Sequence, residues 1–352
     1  MAPLHLIVSD LGFTGHAKQV SLLAPALARA GFAVTVHSFN GDGPFAGPLR
    51  EAGVPVQMGR SSRDWLALRG VGREAGAVVH VFGLPAFRRL AIASVGVSRP
   101  RVVVSFTGRE RLRWFDRRFL KGVARAIVPH AAAAAALARQ GFSGSVSVIA
   151  PAVGTPPPNP LPEAERGELL RANGLPADAF LLVTAGRLDA PKRLFDAIWA
   201  FEVVRYTDTR LRLVVVGDGP DRPAAAAAAQ ALAPDGSRVH FPGATAAVPA
   251  WLAAADIVVV TQRAGGANVV LEALAAGRPV VAANTPELTA LVRDGETGIL
   301  VPPADPPAAA KAINRLALDA GLRTRMGAAA ARAAAEFTIE RAVAAWTAVY
   351  AG

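Results

Sequence analysis

Short, predominantly apolar runs constrain the fold of this chain more than any other feature. They fall at residues 4–9, 32–36, 77–81 and 102–106, each followed by a spacer of helix length. A strand whose apolar residues are near-continuous, not confined to alternate positions, is covered on both faces, which means a parallel sheet between layers of helix. The rhythm stops at Pro151, beyond which Pro156, Pro157, Pro158 and Pro160 crowd together. No helix or strand interior tolerates that density, because proline lacks an N–H and fixes φ. The rhythm restarts with runs at 180–184, 211–216, 239–241, 257–260, 279–282 and 298–301. The pattern predicts an α/β chain of two doubly wound, Rossmann-like domains at 1–150 and 171–335, joined by a proline-rich linker at 151–170. A terminal helix at 336–352 is expected to pack back toward the first domain. Ligands belong in a central cleft that the two domains face, at the carboxyl ends of the strands.

Of 352 residues, 52% are hydrophobic and 18% charged, the balance of a globular chain rather than a disordered one. Alanine runs at 131–136 and 224–229 read as helix and carry no chemistry. The absence of cysteine excludes disulfides, thiolate metal sites and thiol nucleophiles. The six histidines lack the close pairing of a zinc site, so no metal is expected. No basic region precedes an apolar stretch at the start, and no apolar run reaches membrane-spanning length. The expectation is a soluble, cytoplasmic protein. The net charge of +11 is unevenly spread: residues 1–150 hold 19 Lys and Arg against 7 Asp and Glu, and the remainder holds 19 against 20. Halves of such different charge suit different partners.

Three segments carry candidate chemistry. Gly265-Gly266-Ala267-Asn268 follows a strand and opens a helix that contains Glu272. Glycines there let backbone N–H groups approach an anion, and the helix dipole favours negative charge. Glu272 lies among Val269, Val270, Leu271 and Leu274, where a carboxylate is costly unless it binds something such as ribose hydroxyls. The plainer alternative is an ordinary turn with Glu272 in water. Arg187 and Lys192 flank a turn in Gly186-Arg187-Leu188-Asp189-Ala190-Pro191-Lys192 at another strand end. Two cations converging there suit a diphosphate, although the pair alone also reads as surface charge. Gly12-Phe13-Thr14-Gly15-His16 places a helix start in the first domain.

Together these segments resemble the retaining glycosyltransferases of the GT-B fold, glycosyltransferase family 4. The likeness is densest over 180–350 and takes in Gly217-Asp218-Gly219-Pro220, Phe241-Pro242-Gly243, the Glu272 helix, Pro286-Glu287-Leu288 and Asp294-Gly295-Glu296-Thr297-Gly298. In the first half it rests on Thr14-Gly15, Lys18 and Gly31-Phe32-Ala33-Val34. The resemblance implies an acceptor-side first domain and a second domain that binds a nucleotide-diphosphate sugar. It implies that Arg187 and Lys192 neutralise the diphosphate and stabilise the leaving nucleotide, work done elsewhere by a metal. Glu272 is then the ribose acceptor. The amides of Gly266, Ala267 and Asn268 hold the distal phosphate and sugar, and Gly15 lets the first domain's backbone approach the diphosphate. His16 and Thr107 are the expected sugar or acceptor contacts. Front-face attack calls for no protein nucleophile, and neither a cofactor nor a metal is expected. The implied partners are a nucleotide sugar and a glycan or lipid-linked acceptor, in cell-envelope or polysaccharide glycan synthesis.

Two departures from the family pattern bear on donor choice. Ala264 stands where the first of two paired glutamates is usual, and Thr107 stands where a histidine is often found. Ala264 supports a rival reading, a non-catalytic nucleotide-binding subunit of a glycosyltransferase complex. A nucleotide-sugar epimerase on the same plan lacks its histidine and acidic cluster here, and no motif for reading nucleic acid is present. Residues 109–125 hold seven basic side chains, while Leu112, Phe115, Phe119 and Val123 recur at helical spacing beside Trp114. That spacing predicts an amphipathic basic helix. Its alternatives are a solvated domain helix and a surface that meets an anionic membrane, the second implying a lipid-linked or acidic acceptor.

Overall fold

The computed structural model describes residues 2–59, 76–93, 101–154, 161–233 and 238–351. They form two compact units, one of residues 1–152 with 338–352 and one of residues 153–337. The first holds a seven-stranded parallel sheet in the order β3-β2-β1-β4-β5-β6-β7. Its strands are β1 (Pro3–Val8), β2 (Ala33–Ser38), β3 (Val56–Met58), β4 (Val78–Phe82), β5 (Arg101–Ser105), β6 (Arg125–Val128) and β7 (Val146–Val148). The second holds a six-stranded parallel sheet in the order β10-β9-β8-β11-β12-β13. Its strands are β8 (Phe180–Ala185), β9 (Leu211–Val216), β10 (Val239–Gly243), β11 (Ile257–Val260), β12 (Val280–Ala283) and β13 (Gly298–Val301). The strand order doubles back between β1 and β4 and again between β8 and β11, so each unit is doubly wound with one switch point.

The predominantly apolar runs behave as their composition requires. Every residue of β4, β8, β11 and β12 is buried, with core clusters on both faces of the second sheet. β3, β6 and β7 complete the first sheet beyond the four apolar runs, and each is only three or four residues long. The alanine runs lie in the helices Ala131–Arg139 and Arg222–Ala231.

Two boundaries differ from the sequence pattern. The stretch expected as linker over 151–170 is not one element. Residues 155–160 lie outside the described residues, and Glu163–Ala172 is a helix of the second unit. Leu170 anchors it in that unit's core, a burial that the polar face of the helix conceals in sequence. The basic segment over 109–125 is helical only from Trp114 to Leu120, and Arg125 begins β6. Carboxylates set that limit. Glu110 accepts N–H groups of Thr107, Gly108 and Arg109 in a tight turn, and Asp116 accepts the Arg113 N–H at 2.7 Å to start the helix.

The helix Ile339–Ala351 completes the first unit. It lies against the helix Gly15–Arg29, and its Trp346 and Tyr350 are buried in a core with Leu27, Val36 and Phe82. His80, wholly buried on β4, links the pieces: one ring nitrogen is 2.6 Å from the Tyr350 hydroxyl and the other 2.7 Å from the Ser105 hydroxyl. Burial pushes its imidazole down to about 3, so it stays neutral. Gln19 exchanges two 2.8 Å hydrogen bonds with the backbone of Ala152, fixing the chain where it leaves the unit. Val153 N–H then donates to Phe337 O at 2.8 Å inside the second unit.

Candidate functional site

The second unit gathers its chemistry at the carboxyl ends of β8, β11 and β12. β8 runs into Gly186 and then into a single 3₁₀ turn, Ala190–Lys192, that ends on Arg193 in the left-handed region at φ 51. The turn is latched to the loop after β11: Arg263 N–H donates to Pro191 O at 3.0 Å, and the Thr261 hydroxyl donates to Arg193 O at 3.1 Å. This latch buries Lys192, which is 3% exposed. Its ammonium donates to Ala185 O at 2.6 Å and to Gln262 Oε1 at 3.1 Å. Both acceptors are neutral, and burial drives the lysine down to about 7 against the opposing pull of Asp189.

Arg187 occupies different ground. Its side chain is 67% exposed and lies 3.3 Å from Asp189, an ion pair worth little in water. Arg193 turns to Asp196, with a 2.9 Å bond from Nη2 to Oδ1. The structure therefore gives one buried cation and one solvated cation after β8, not two in a common environment. Around them the backbones close tightly. Gly217, at φ 136 after β9, leaves no space for a side chain, since a Cβ there falls on Gly186 O.

The glycine turn after β11 has a built geometry. Gly265 and Gly266 are both left-handed, and Gly266 caps the helix Ala267–Ala275. A Cβ at Gly266 falls on the Gln262 side-chain amide, so only glycine fits there. Gly265 N–H donates to Glu287 Oε2 at 2.8 Å, reaching across to the loop after β12. Ala267 and Asn268 lie in the first helical turn, where N–H groups face outward from the helix. Glu272 is half-buried farther along the same helix. Lys192, Gln262 and Gly266 are thus in one packed cluster, and Asn268 and Glu272 extend from it along the helix.

In the first unit, Thr14 caps the helix that Gly15 opens, accepting the Ala17 N–H at 3.3 Å. His16 is half-buried, 5.8 Å from Phe82 between ring centroids, and burial lowers its pKa. Thr107 stands in the turn after β5, where its hydroxyl donates to Glu110 Oε1 at 2.8 Å. All lie at carboxyl ends of their sheet's strands. Trp114 is 79% exposed at the start of its short helix, and Arg88 clamps that helix through a bidentate pair of 2.8 Å bonds to Asp116.

Three contributors escaped the sequence reading. Gln262 and Glu287 support the second unit's turn, and Glu110 shapes the turn that holds Thr107. Glu287 stood within a recognised motif without a role, and Gln262 carried no signal at all, since its partner is 70 positions away. Among the described residues no group of three or more His, Asp or Glu is placed to hold a metal ion, and no helix is long and apolar enough to cross a membrane.

Comparison with known proteins follows the same division of the chain. Residues 13–155 match the family described as Glycosyltransferase Family 4, and residues 179–319 match Glycosyl transferases group 1. A D-inositol 3-phosphate glycosyltransferase of Xylanimonas cellulosilytica is 36% identical over 201 residues, covering 55% of this chain and 48% of the relative. One from Streptomyces bingchenggensis is 35% identical over 189 residues, covering 51% and 42%. The chain thus spans about half the length of these curated relatives. Among solved structures, Anabaena Alr3699/HepE in complex with UDP and glucose superposes with a TM-score of 0.81 at 20% identity, covering 97% of both chains. Sucrose-phosphate synthase from Thermosynechococcus elongatus gives 0.80 at 20% identity, covering 99% of this chain and 98% of that one. Two sheets of the same doubly wound plan, two family matches that take one unit each and a shared overall fold lead to one assignment: the chain has the GT-B fold, with a Glycosyltransferase Family 4 module followed by a Glycosyl transferases group 1 module.

Proposed function

We propose that this chain moves a sugar from a uridine diphosphate sugar to an acceptor, with retention of configuration and without a metal ion. The observation that carries the reading is Lys192, a buried ammonium held by two neutral acceptors at a sheet switch point, packed beside a glycine turn. A diphosphate supplies the counter-charge that neither acceptor provides. Glu272 accepts the ribose hydroxyls, the amides of Gly266, Ala267 and Asn268 take the distal phosphate, and exposed Arg187 meets the diphosphate from solvent. The acceptor hydroxyl attacks the anomeric carbon from the face that the nucleotide leaves, and its proton passes to the departing phosphate oxygen. Gly15, His16 and Thr107 are the first unit's contacts in this reading. The choice of uridine draws support from the UDP bound in Alr3699/HepE.

The acceptor is acidic or lipid-linked. The relatives' name specifies an inositol phosphate, and a half with 19 basic against 7 acidic residues suits a phosphorylated partner. Exposed Trp114 with Arg117 and Arg118 then rests on the inner face of an anionic membrane from the cytoplasmic side, with glycan synthesis for the cell envelope as the setting. Ala264 favours a second reading, a subunit that binds nucleotide without turning it over.

A thermal-shift series with nucleoside diphosphates, followed by transfer from UDP-sugars in chelator, tests both readings. UDP at one hundred times its dissociation constant stabilises by about 2.7 kcal/mol. Absence of any shift rejects the nucleotide site. A shift without transfer or hydrolysis supports the subunit reading, and activity lost in chelator and restored by magnesium rejects metal independence.

A further inference from the structure

Lys192 is enclosed by the loop after β11, and the side chain of that loop that meets it is Gln262, itself 6% exposed. We infer that Gln262 is a positioning residue for the diphosphate, holding the Lys192 ammonium with its amide oxygen and supporting the Gly265–Gly266 turn with its amide nitrogen. The inference rests on the reading that Lys192 meets a diphosphate. An ammonium only donates, so the oxygen of the amide must face Lys192 and the nitrogen must face away. The nitrogen then lies where a Cβ of residue 266 would be, directly beneath the cap of the helix Ala267–Ala275. One amide therefore touches both the cation and the anion-binding turn.

The charges around Lys192 leave this amide a specific task. Asp189 favours the ammonium electrostatically but shares its carboxylate with Arg187. Arg193 pairs with Asp196, Glu287 takes the Gly265 N–H, and Ala185 supplies only a backbone oxygen. Among the described hydrogen bonds of Lys192, Gln262 is the sole side-chain acceptor, so it stabilises the charged form that burial disfavours. In the free protein the ammonium titrates at about 7, and a bound diphosphate raises that value. The contribution of Lys192 to binding is therefore full below pH 7 and falls about tenfold per pH unit above it until the complex itself deprotonates.

Titration calorimetry with UDP from pH 6 to pH 9 on the whole chain tests this in four proteins: wild type, Gln262→Leu, Gln262→Glu and Lys192→Met. The UDP terminal phosphate also titrates near pH 6, and the Lys192→Met profile supplies that background. Gln262→Leu removes the acceptor, and the break in affinity moves down by about one pH unit. Gln262→Glu places a carboxylate beside the ammonium, and the break moves up by at least as much. The glutamate variant keeps the side-chain volume, so the test stands even if leucine disrupts the loop. A residue that merely packs the loop lowers affinity equally at every pH and leaves the break in place, which overturns the inference. A wild-type profile that coincides with that of Lys192→Met overturns the nucleotide reading and the inference with it.

Discussion

Replacing Lys192 with methionine separates what the site does for binding from what it costs the fold. Methionine fills a similar volume without charge, in a position 3% exposed. The wild-type lysine falls from 10.5 to about 7 on burial, so between those values the unfolded chain binds a proton that the folded chain releases. Wild-type stability therefore rises with pH across that window. Linkage puts the cost of burying the lysine at about 4 kcal/mol at pH 7 and about 2 kcal/mol at pH 9. Lys192→Met abolishes this slope. It leaves Ala185 O and Gln262 Oε1 short of a donor, which takes back about 1–3 kcal/mol, so the variant is equal to or more stable than wild type at pH 7. Its affinity for UDP falls by about 1.5–3 kcal/mol, roughly tenfold to 150-fold. Urea melts at pH 7 and pH 9, following the transition that UDP shifts, measure the first effect, and calorimetry measures the second. Parallel wild-type and variant stabilities at the two pH values, or unchanged UDP affinity, refute the reasoning.

Three further outcomes are expected. Glu272→Ala weakens nucleoside diphosphate binding by about 1.5–3 kcal/mol in calorimetry, and wild-type affinity in that variant removes Glu272 from the site. His80 and His37 are held neutral by burial, at about 3 and about 4, against 6.5 in the unfolded chain. Their contribution is present above pH 6.5 and lost as pH falls toward those values, so the first unit loses at least about 2 kcal/mol between pH 6.5 and pH 5, and a flat acid limb contradicts this. Trp114→Ser with Arg117→Glu and Arg118→Glu reduces sedimentation with anionic vesicles at low salt, and a wild type absent from both anionic and neutral pellets points to a soluble acceptor.

How much of this was legible depended on whether the cause was local. The full-length strands were readable because parallel strands buried on both faces must be apolar throughout, and the Gly265–Gly266 turn because glycine marks left-handed backbone. β6 and β7 were not, because Arg125-Ala126-Ile127-Val128 and Val146-Ser147-Val148 become strands through the neighbour each pairs with. The helical spacing over 109–125 overran its true extent, since periodicity does not register carboxylates that bond to backbone amides, as Glu110 and Asp116 do. Lys192 and Arg187 looked alike in sequence. Their difference comes from Thr261 and Arg263, which latch a distant loop over one of them.

The place of the helix Ile339–Ala351 fixes an order of events at the ribosome. Its Trp346 and Tyr350, with Ala342 and Val349, close a core whose remaining buried members lie between Leu4 and Ala152, and the intervening 153–337 form a separate unit. At about 5–20 residues per second, synthesis of that stretch takes roughly ten to forty seconds. Throughout that interval the nascent first sheet exposes the surface that Trp346 and Tyr350 later cover, and His80 waits for the hydroxyl of Tyr350. The unit begun first is thus finished last, and a chain stalled after residue 337 carries one completed unit and one open core.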